Sequence, residues 1–294
     1  MNHDSPFEIR AELQRRGLTL KKRWGQNFLI NRGARESLMG WLSPAEGDLV
    51  WEIGPGLGAM TELLLKKGTR AVVFEVDRGL CRYLEEVFGG QGGFSLVPGD
   101  FVKTWREALR AHGSPGLLLG NLPYRSASLM VADIIQGGLR PRRMVVTLQR
   151  EAAERMCSPP ARKSYSSFSV LCQAVFTVRA LGDLKPGSFY PAPEVVSTAV
   201  ELTPREDAPD GTSLMVLSAI TRGLFAARRK TIRNNMAAAL LPSGILPEDA
   251  LRALEKEGAD PGARAEELPP ETFLRTAKAL AARVSQDLRE PSSP

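Results

Sequence analysis

Along this chain the spacing of apolar residues changes period repeatedly. Short, nearly continuous apolar runs, Leu49 to Ile53, Ala71 to Val76, Phe94 to Val97, Leu117 to Gly120 and Met144 to Leu148, predict buried strands. Between them the apolar positions recur every three or four residues, which predicts helices over 59–67, 78–88, near 103–111 and near 126–136. Strands that are apolar on both faces and alternate with helices predict a mostly parallel sheet covered on both sides by helices. Two helices, over 7–16 and roughly 31–42, lead into this core. After a helix near 164–174, two strand candidates, 175–181 and 197–203, flank the Pro-rich loop Lys185 to Pro193 and predict an antiparallel hairpin at the sheet edge. Residues 204–211 have turn formers and charge but no apolar period, so they read as a linker. Beyond it the pattern is helical only, over 212–226, 229–240, 247–257 and 270–286. The division predicts two domains, an α/β domain over 1–207 and a small all-α domain over 208–294.

The chain has 294 residues, with 39 Lys and Arg against 33 Asp and Glu, a net charge of +6. That excess suits an anionic partner. Cys81, Cys157 and Cys172 are odd in number and form no Cys-x-x-Cys pair, so neither a disulfide framework nor a thiolate metal site is expected. With His3 and His112 the only histidines, zinc chemistry and a Ser-His-Asp triad lose their weight. The charged N-terminus does not resemble a signal peptide, and no apolar run approaches a membrane span. The expectation is a cytoplasmic, monomeric protein with no metal and no membrane.

The chemistry concentrates at two strand ends. After the first core strand comes Glu52-Ile53-Gly54-Pro55-Gly56-Leu57-Gly58, whose glycines permit a tight turn and close approach of a ligand to the backbone. A nicotinamide site uses similar devices, but the spacing here is G-x-G-x-G. Glu75, ending the second strand, can accept from both hydroxyls of a ribose. Asp100, at the end of the third, can accept from an adenine amino group while Phe101 packs on the ring; Asp100 equally reads as a helix N-cap. Acids at consecutive strand ends favour S-adenosylmethionine.

At the end of the fourth strand lies Asn121-Leu122-Pro123-Tyr124. Pro123 fixes its own φ and disfavours helix at Leu122, so carbonyls and the Asn121 amide can converge on one point. An aromatic amine is a poor nucleophile because its lone pair is delocalised. Two acceptors, the Asn121 side-chain oxygen and the Leu122 carbonyl, would hold its hydrogens and aim the lone pair at a methyl group. Tyr124 would stack on a base swung out of its helix, and Phe189 either covers the other face or is a core aromatic.

These motifs resemble the ribosomal RNA adenine N6-dimethyltransferase family over nearly the whole chain, from Arg23-Trp24-Gly25-Gln26-Asn27-Phe28-Leu29 through Gln149-Arg150-Glu151 and Arg228 to Asn234 to Arg264-Ala265-Glu266. The resemblance implies a Rossmann-like seven-stranded methyltransferase sheet with a helical C-terminal RNA-binding domain. It implies S-adenosylmethionine contacts at Asn27, Leu29, Gly54, Glu75, Asp100 and Asn121, with Gly56 in the same loop. The implied activity is dimethylation of two adjacent adenosines in the 3′-terminal hairpin of small-subunit rRNA, within a pre-ribosomal particle. Relatives acting on large-subunit rRNA share the motifs, and a non-catalytic assembly checkpoint and a DNA adenine methyltransferase are further readings. Departures stand at Arg125-Ser126-Ala127, where the family has Asn-Ile-Ser, at Tyr165-Ser166, and at Glu194, where it has Lys. For RNA, Lys22, Arg23, Arg222, Arg228, Arg229, Lys230 and Arg233 are the candidates. A second basic set, Arg140, Arg142, Arg143, Arg150, Arg155, Arg162 and Lys163, follows the Asn-Leu-Pro-Tyr strand.

Overall fold

A computed structural model describes residues 1–20 and 25–287. In chain order the elements are α1 (Pro6–Arg15), β1 (Phe28–Leu29), α2 (Arg32–Leu42), β2 (Leu49–Ile53), α3 (Ala59–Lys66), β3 (Arg70–Glu75), α4 (Arg78–Phe88), β4 (Phe94–Pro98), α5 (Phe101–His112), β5 (Leu117–Asn121) and α6 (Ala127–Gln136). Then follow β6 (Arg143–Gln149), α7 (Arg150–Cys157), α8 (Ser167–Val175), β7 (Phe176–Leu184), β8 (Phe189–Tyr190), β9 (Ser197–Pro204), α9 (Gly211–Leu224), α10 (Ile232–Met236), α11 (Pro247–Lys256) and α12 (Pro270–Asp287).

Seven strands form one sheet in the order β4-β3-β2-β5-β6-β9-β7. The pairs β2 with β3, β3 with β4, β2 with β5 and β5 with β6 are parallel, while β9 runs antiparallel to β6. Arg179 pairs with Glu201 and Asp183 accepts from Thr198, two contacts that run in opposite senses along β7 and β9 and mark the antiparallel hairpin. Alternate strand residues serve opposite faces. Val50, Ala71, Val73, Leu117, Leu119 and Val145 pack with α2 and α3 in one core. On the other face Phe74 meets Phe101 of α5 edge-on, ring centroids 4.9 Å apart.

The chain divides into two compact units. One holds residues 1–131, 141–153 and 179–203; the other gathers 132–140, 154–178 and 204–294. Within the second, α9 and α12 pack along each other and bury Leu217, Ile220, Phe273 and Ala277.

Three local features depart from the periodicity. The helix expected over 229–240 is confined to α10, because the buried Asn235 side chain donates to the carbonyls of Leu224 (2.8 Å), Ala227 (3.0 Å) and Lys230 (3.4 Å). Those bonds hold the preceding residues in a turn, and Thr231 then caps α10. Helix α7 follows β6 with no turn residue between them. The two-residue pair of β1 with β8 is too short to leave a period in the sequence.

Candidate active site

The order of strands decides where a ligand goes. From β2 the chain winds outward through β3 and β4, then crosses back to place β5 on the other flank of β2. Ligands in open α/β sheets bind at such a reversal, beyond the carboxyl ends of the strands. Ile53 is the register partner of Gly120, so the residues that follow, Gly54 and Asn121, are neighbours. Gly54 has φ +72°, and a Cβ there would stand 3.3 Å from the Asn121 carbonyl oxygen. Gly58, at φ +78°, is covered by Phe88, whose ring a Cβ would meet at 2.3 Å. One glycine lets the loop approach β5, and the other lets α4 close under it.

A cavity of about 620 Å³ opens here, within the range of nucleoside-sized ligand sites. It brings together Asn27, Gly54, Gly56, Glu75, Asp100, Phe101, Asn121, Pro123 and Tyr124, from five separate parts of the sequence. Glu75 is 5% exposed and accepts from the Asp77 amide at 2.8 Å. Burial pushes its carboxyl up to about 7, against the pull of the Asp77, Gly56 and Val76 amides. Asp100 does cap α5, its Oδ1 accepting from the Val102 amide at 3.1 Å, and lines the cavity as well. Its two readings are compatible. Glu52 does not line this cavity, accepts from the Thr61 hydroxyl at 2.6 Å, and is also pushed up to about 7 by burial.

Three expected residues do not line this cavity. The Leu122 side chain is buried, its expected role resting on its carbonyl, and Leu29 lines an adjoining cavity of about 50 Å³ that shares Asn27, Gly54, Gly56 and Asn121 with the large one. Phe189 is 3% exposed, pairs with Leu29 between β1 and β8, and belongs to the core under α2. The stacking role expected of Phe189 is therefore corrected to a packing role, since its ring is spent on core contacts.

Asn121 is held at both ends of its amide. Its Nδ2 donates to the Asn27 carbonyl at 2.8 Å, and its Oδ1 accepts from the Thr147 hydroxyl at 2.6 Å. The Leu122 amide donates to the Thr147 carbonyl at 3.0 Å. Tyr124, half-buried at the cavity wall, shares a 2.7 Å hydrogen bond with the buried Ser197 hydroxyl. Thr147 and Ser197 escaped the sequence reading, which names Gln149, a residue of the cavity wall, only within a matching stretch. The one available signal was at Thr147, whose hydroxyl interrupts the apolar run of β6, where a buried polar group needs a partner.

The model of the family described as ribosomal RNA adenine dimethylase matches residues 17–282. The chain belongs to that family. Ribosomal RNA small subunit methyltransferase A of Treponema pallidum subsp. pallidum is 39% identical over 285 residues, covering 96% of this chain and 98% of the relative. The protein of that name from Treponema denticola is 38% identical over 275 residues, 93% and 94% of the two chains. Among solved structures, a dimethyladenosine transferase from Plasmodium falciparum superposes with a TM-score of 0.70 at 20% identity, covering 86% of this chain and 97% of that one. The 23S rRNA methyltransferase ErmE gives 0.63 at 21% identity, over 86% and 99%. Both show the shared fold, and the family makes this chain an rRNA adenine dimethyltransferase.

For a member of this family the disposition of the basic residues matters. Arg222, Arg229, Lys230 and Arg233 are exposed and carry no ion pair among the described residues. Arg228 is different: it pairs with Glu266 at 2.5 Å and donates to the Lys163 carbonyl at 2.9 Å. Lys22 and Arg23 lie outside the described residues. Much of the second basic set is engaged internally. Arg142 pairs with Asp48, Arg143 with Glu201 and Arg150 with Asp183, while half-buried Arg140 lies over the Phe176 ring and donates to the Ile135 and Leu139 carbonyls. Among the described residues no helix is long and apolar enough to cross a membrane.

Proposed function

We propose that this dimethyltransferase uses S-adenosylmethionine to convert two adjacent adenosines of the 3′-terminal hairpin of small-subunit rRNA to N6,N6-dimethyladenosine during subunit assembly. The observation that carries the reading is the fixed Asn121 amide at the end of β5, beside Gly54 and on the wall of the large cavity. The small-subunit choice rests on the names of relatives that match this chain along nearly its whole length.

The residues present fit the cofactor. Glu75 offers a buried carboxylate to a ribose diol, Asp100 lies within the same cavity beside Phe101, and Gly54 and Gly56 leave the backbone open to approach. When bound, S-adenosylmethionine supplies an electrophilic methyl group on a sulfonium. Everything else falls to the chain. Asn121 Oδ1 and the Leu122 carbonyl take the two amine hydrogens, so the nitrogen pyramidalises and its lone pair leaves the ring π system. Tyr124 supplies the aromatic face for the extruded base, at a stacking value of roughly 1–3 kcal/mol. The alkylated nitrogen sheds its proton readily, so this step requires no strong base. In the part of the chain we take as the helical C-terminal domain, residues 208–294, Arg222, Arg229, Lys230 and Arg233 would contact phosphates.

Labelled cofactor, presented with separated ribosomal subunits from a methylation-deficient strain, tests the substrate. Label is expected in the small subunit and its precursors. Incorporation confined to the large subunit would replace this reading with that of the macrolide-resistance type.

A further inference from the structure

We propose that the Thr147 hydroxyl is a positioning group for methyl transfer, holding the Asn121 amide in the one orientation that presents its oxygen to the incoming amine. The inference rests on the reading of Asn121 as the amine clamp.

Terminal amide torsions are soft, and the two ends of an Asn side chain have nearly the same shape, so direction comes from hydrogen-bond partners alone. At Asn121 both ends are specified. The Asn27 carbonyl can only accept, so the Nδ2 group must face it at 2.8 Å. Oδ1 therefore turns toward Thr147, whose hydroxyl donates to it at 2.6 Å. A reversed amide would set oxygen against oxygen at Asn27. Oδ1 has a second lone pair, which stays available to an amine hydrogen. Thr147 is 1% exposed and is not part of the cavity wall, so it acts through Asn121.

The arrangement follows from the sheet. Asn121 and Thr147 are register partners on the parallel strands β5 and β6, so their side chains leave the same face side by side. The Thr147 backbone is already committed, its carbonyl accepting from the Leu122 amide. Backbone pairing thus places the clamp loop and the Asn27 carbonyl sets the direction of the amide, while the hydroxyl pins its oxygen end. Removing the hydroxyl leaves the first two intact and frees the oxygen end to swing about the terminal torsion.

The test compares Thr147→Val, which removes the hydroxyl at nearly constant shape, with Thr147→Ser, which keeps it. Single-turnover methyl transfer to methylation-deficient small subunits is measured at saturating cofactor, alongside cofactor affinity and the rRNA concentration dependence. Thr147→Val is expected to lower the rate constant by about three- to tenfold, the loss of one neutral hydrogen bond, with both binding constants within about twofold of wild type. Thr147→Ser is expected to restore the rate. Should the Val variant not fold, Thr147→Ala takes its place as the hydroxyl-free protein. A full rate in the hydroxyl-free protein, or an equal loss in Thr147→Ser, overturns the proposal. Asn121→Ala in the same assay examines the clamp separately: if it turns over normally, the clamp reading has failed and not merely the role of Thr147.

Discussion

Glu75 offers a quantitative handle on the cofactor half of the site. Burial raises its carboxyl from the usual 4.5 to about 7, which means that ionising it in the ligand-free fold costs about 3 kcal/mol. The folded state binds this proton more tightly than the unfolded chain. Its contribution is thus fully present below about pH 4.5 and is lost as pH rises through about 7, and Glu52 acts in the same direction. A ribose diol reverses the preference at Glu75, because two O–H donors favour the carboxylate. Binding should therefore strengthen as pH rises. With a midpoint near 7, ionised Glu75 grows from about one-tenth at pH 6 to about nine-tenths at pH 8, so the S-adenosylmethionine dissociation constant should fall by up to about tenfold. Calorimetry across that interval measures it. Glu75→Gln is the control, since titration of the ligand itself and of Glu52 persists in it. At pH 8 this variant should bind roughly ten- to a hundredfold more weakly, as expected for losing bonds to a charged acceptor, with a flatter pH profile. Parallel profiles for the two proteins would refute the ribose assignment.

Other parts of the molecule give sharper contrasts. Gly58→Ala forces a Cβ into the Phe88 ring at a left-handed position, and should cost roughly 2–4 kcal/mol in urea unfolding; a change under about 1 kcal/mol would contradict the packing described. Tyr124→Ala should cut transfer at least about tenfold with little loss of stability, whereas Phe189→Ala should cost about 3–5 kcal/mol of stability, and a reversal of that pattern would restore Phe189 to the base-binding wall. Reversing charge with Arg229→Glu and Arg233→Glu should weaken subunit binding and lower the slope of log affinity against log salt by about 2. An unchanged slope would remove both residues from the RNA surface.

Much of the fold was legible because burial on both faces writes itself into sequence as unbroken apolar strands. Leu117-Leu118-Leu119 and Val145-Val146 needed no structure to be recognised as central. Glu75 and Asn121 were legible too, since the end of a buried strand has no packing reason for a carboxylate or an amide, whereas Asp100 also serves as the cap of α5. What the periodicity could not supply were relations between distant segments. Arg228 reads as a free cation until Glu266, 38 residues on, is brought to it. Asn235 looks like one more helix residue until three carbonyls converge on its amide. Phe189 sits in a Pro-rich loop, and only the short pairing of β8 with β1 tucks its ring into the core. Thr147 is hidden for a related reason: in a buried strand a hydroxyl costs free energy unless it finds a partner, and the partner lies on the neighbouring strand.

The central claim is chemical, that an exocyclic amine is gripped at Asn121 and methylated twice. The most direct measurement digests small-subunit rRNA after reaction with the wild-type protein and with Asn121→Ala, and quantifies modified nucleosides by mass spectrometry. The account predicts two N6,N6-dimethyladenosines per subunit from the 3′-terminal hairpin with wild type and almost none with the variant. Methyl groups on any other atom or base, or equal yields from the two proteins, would contradict it.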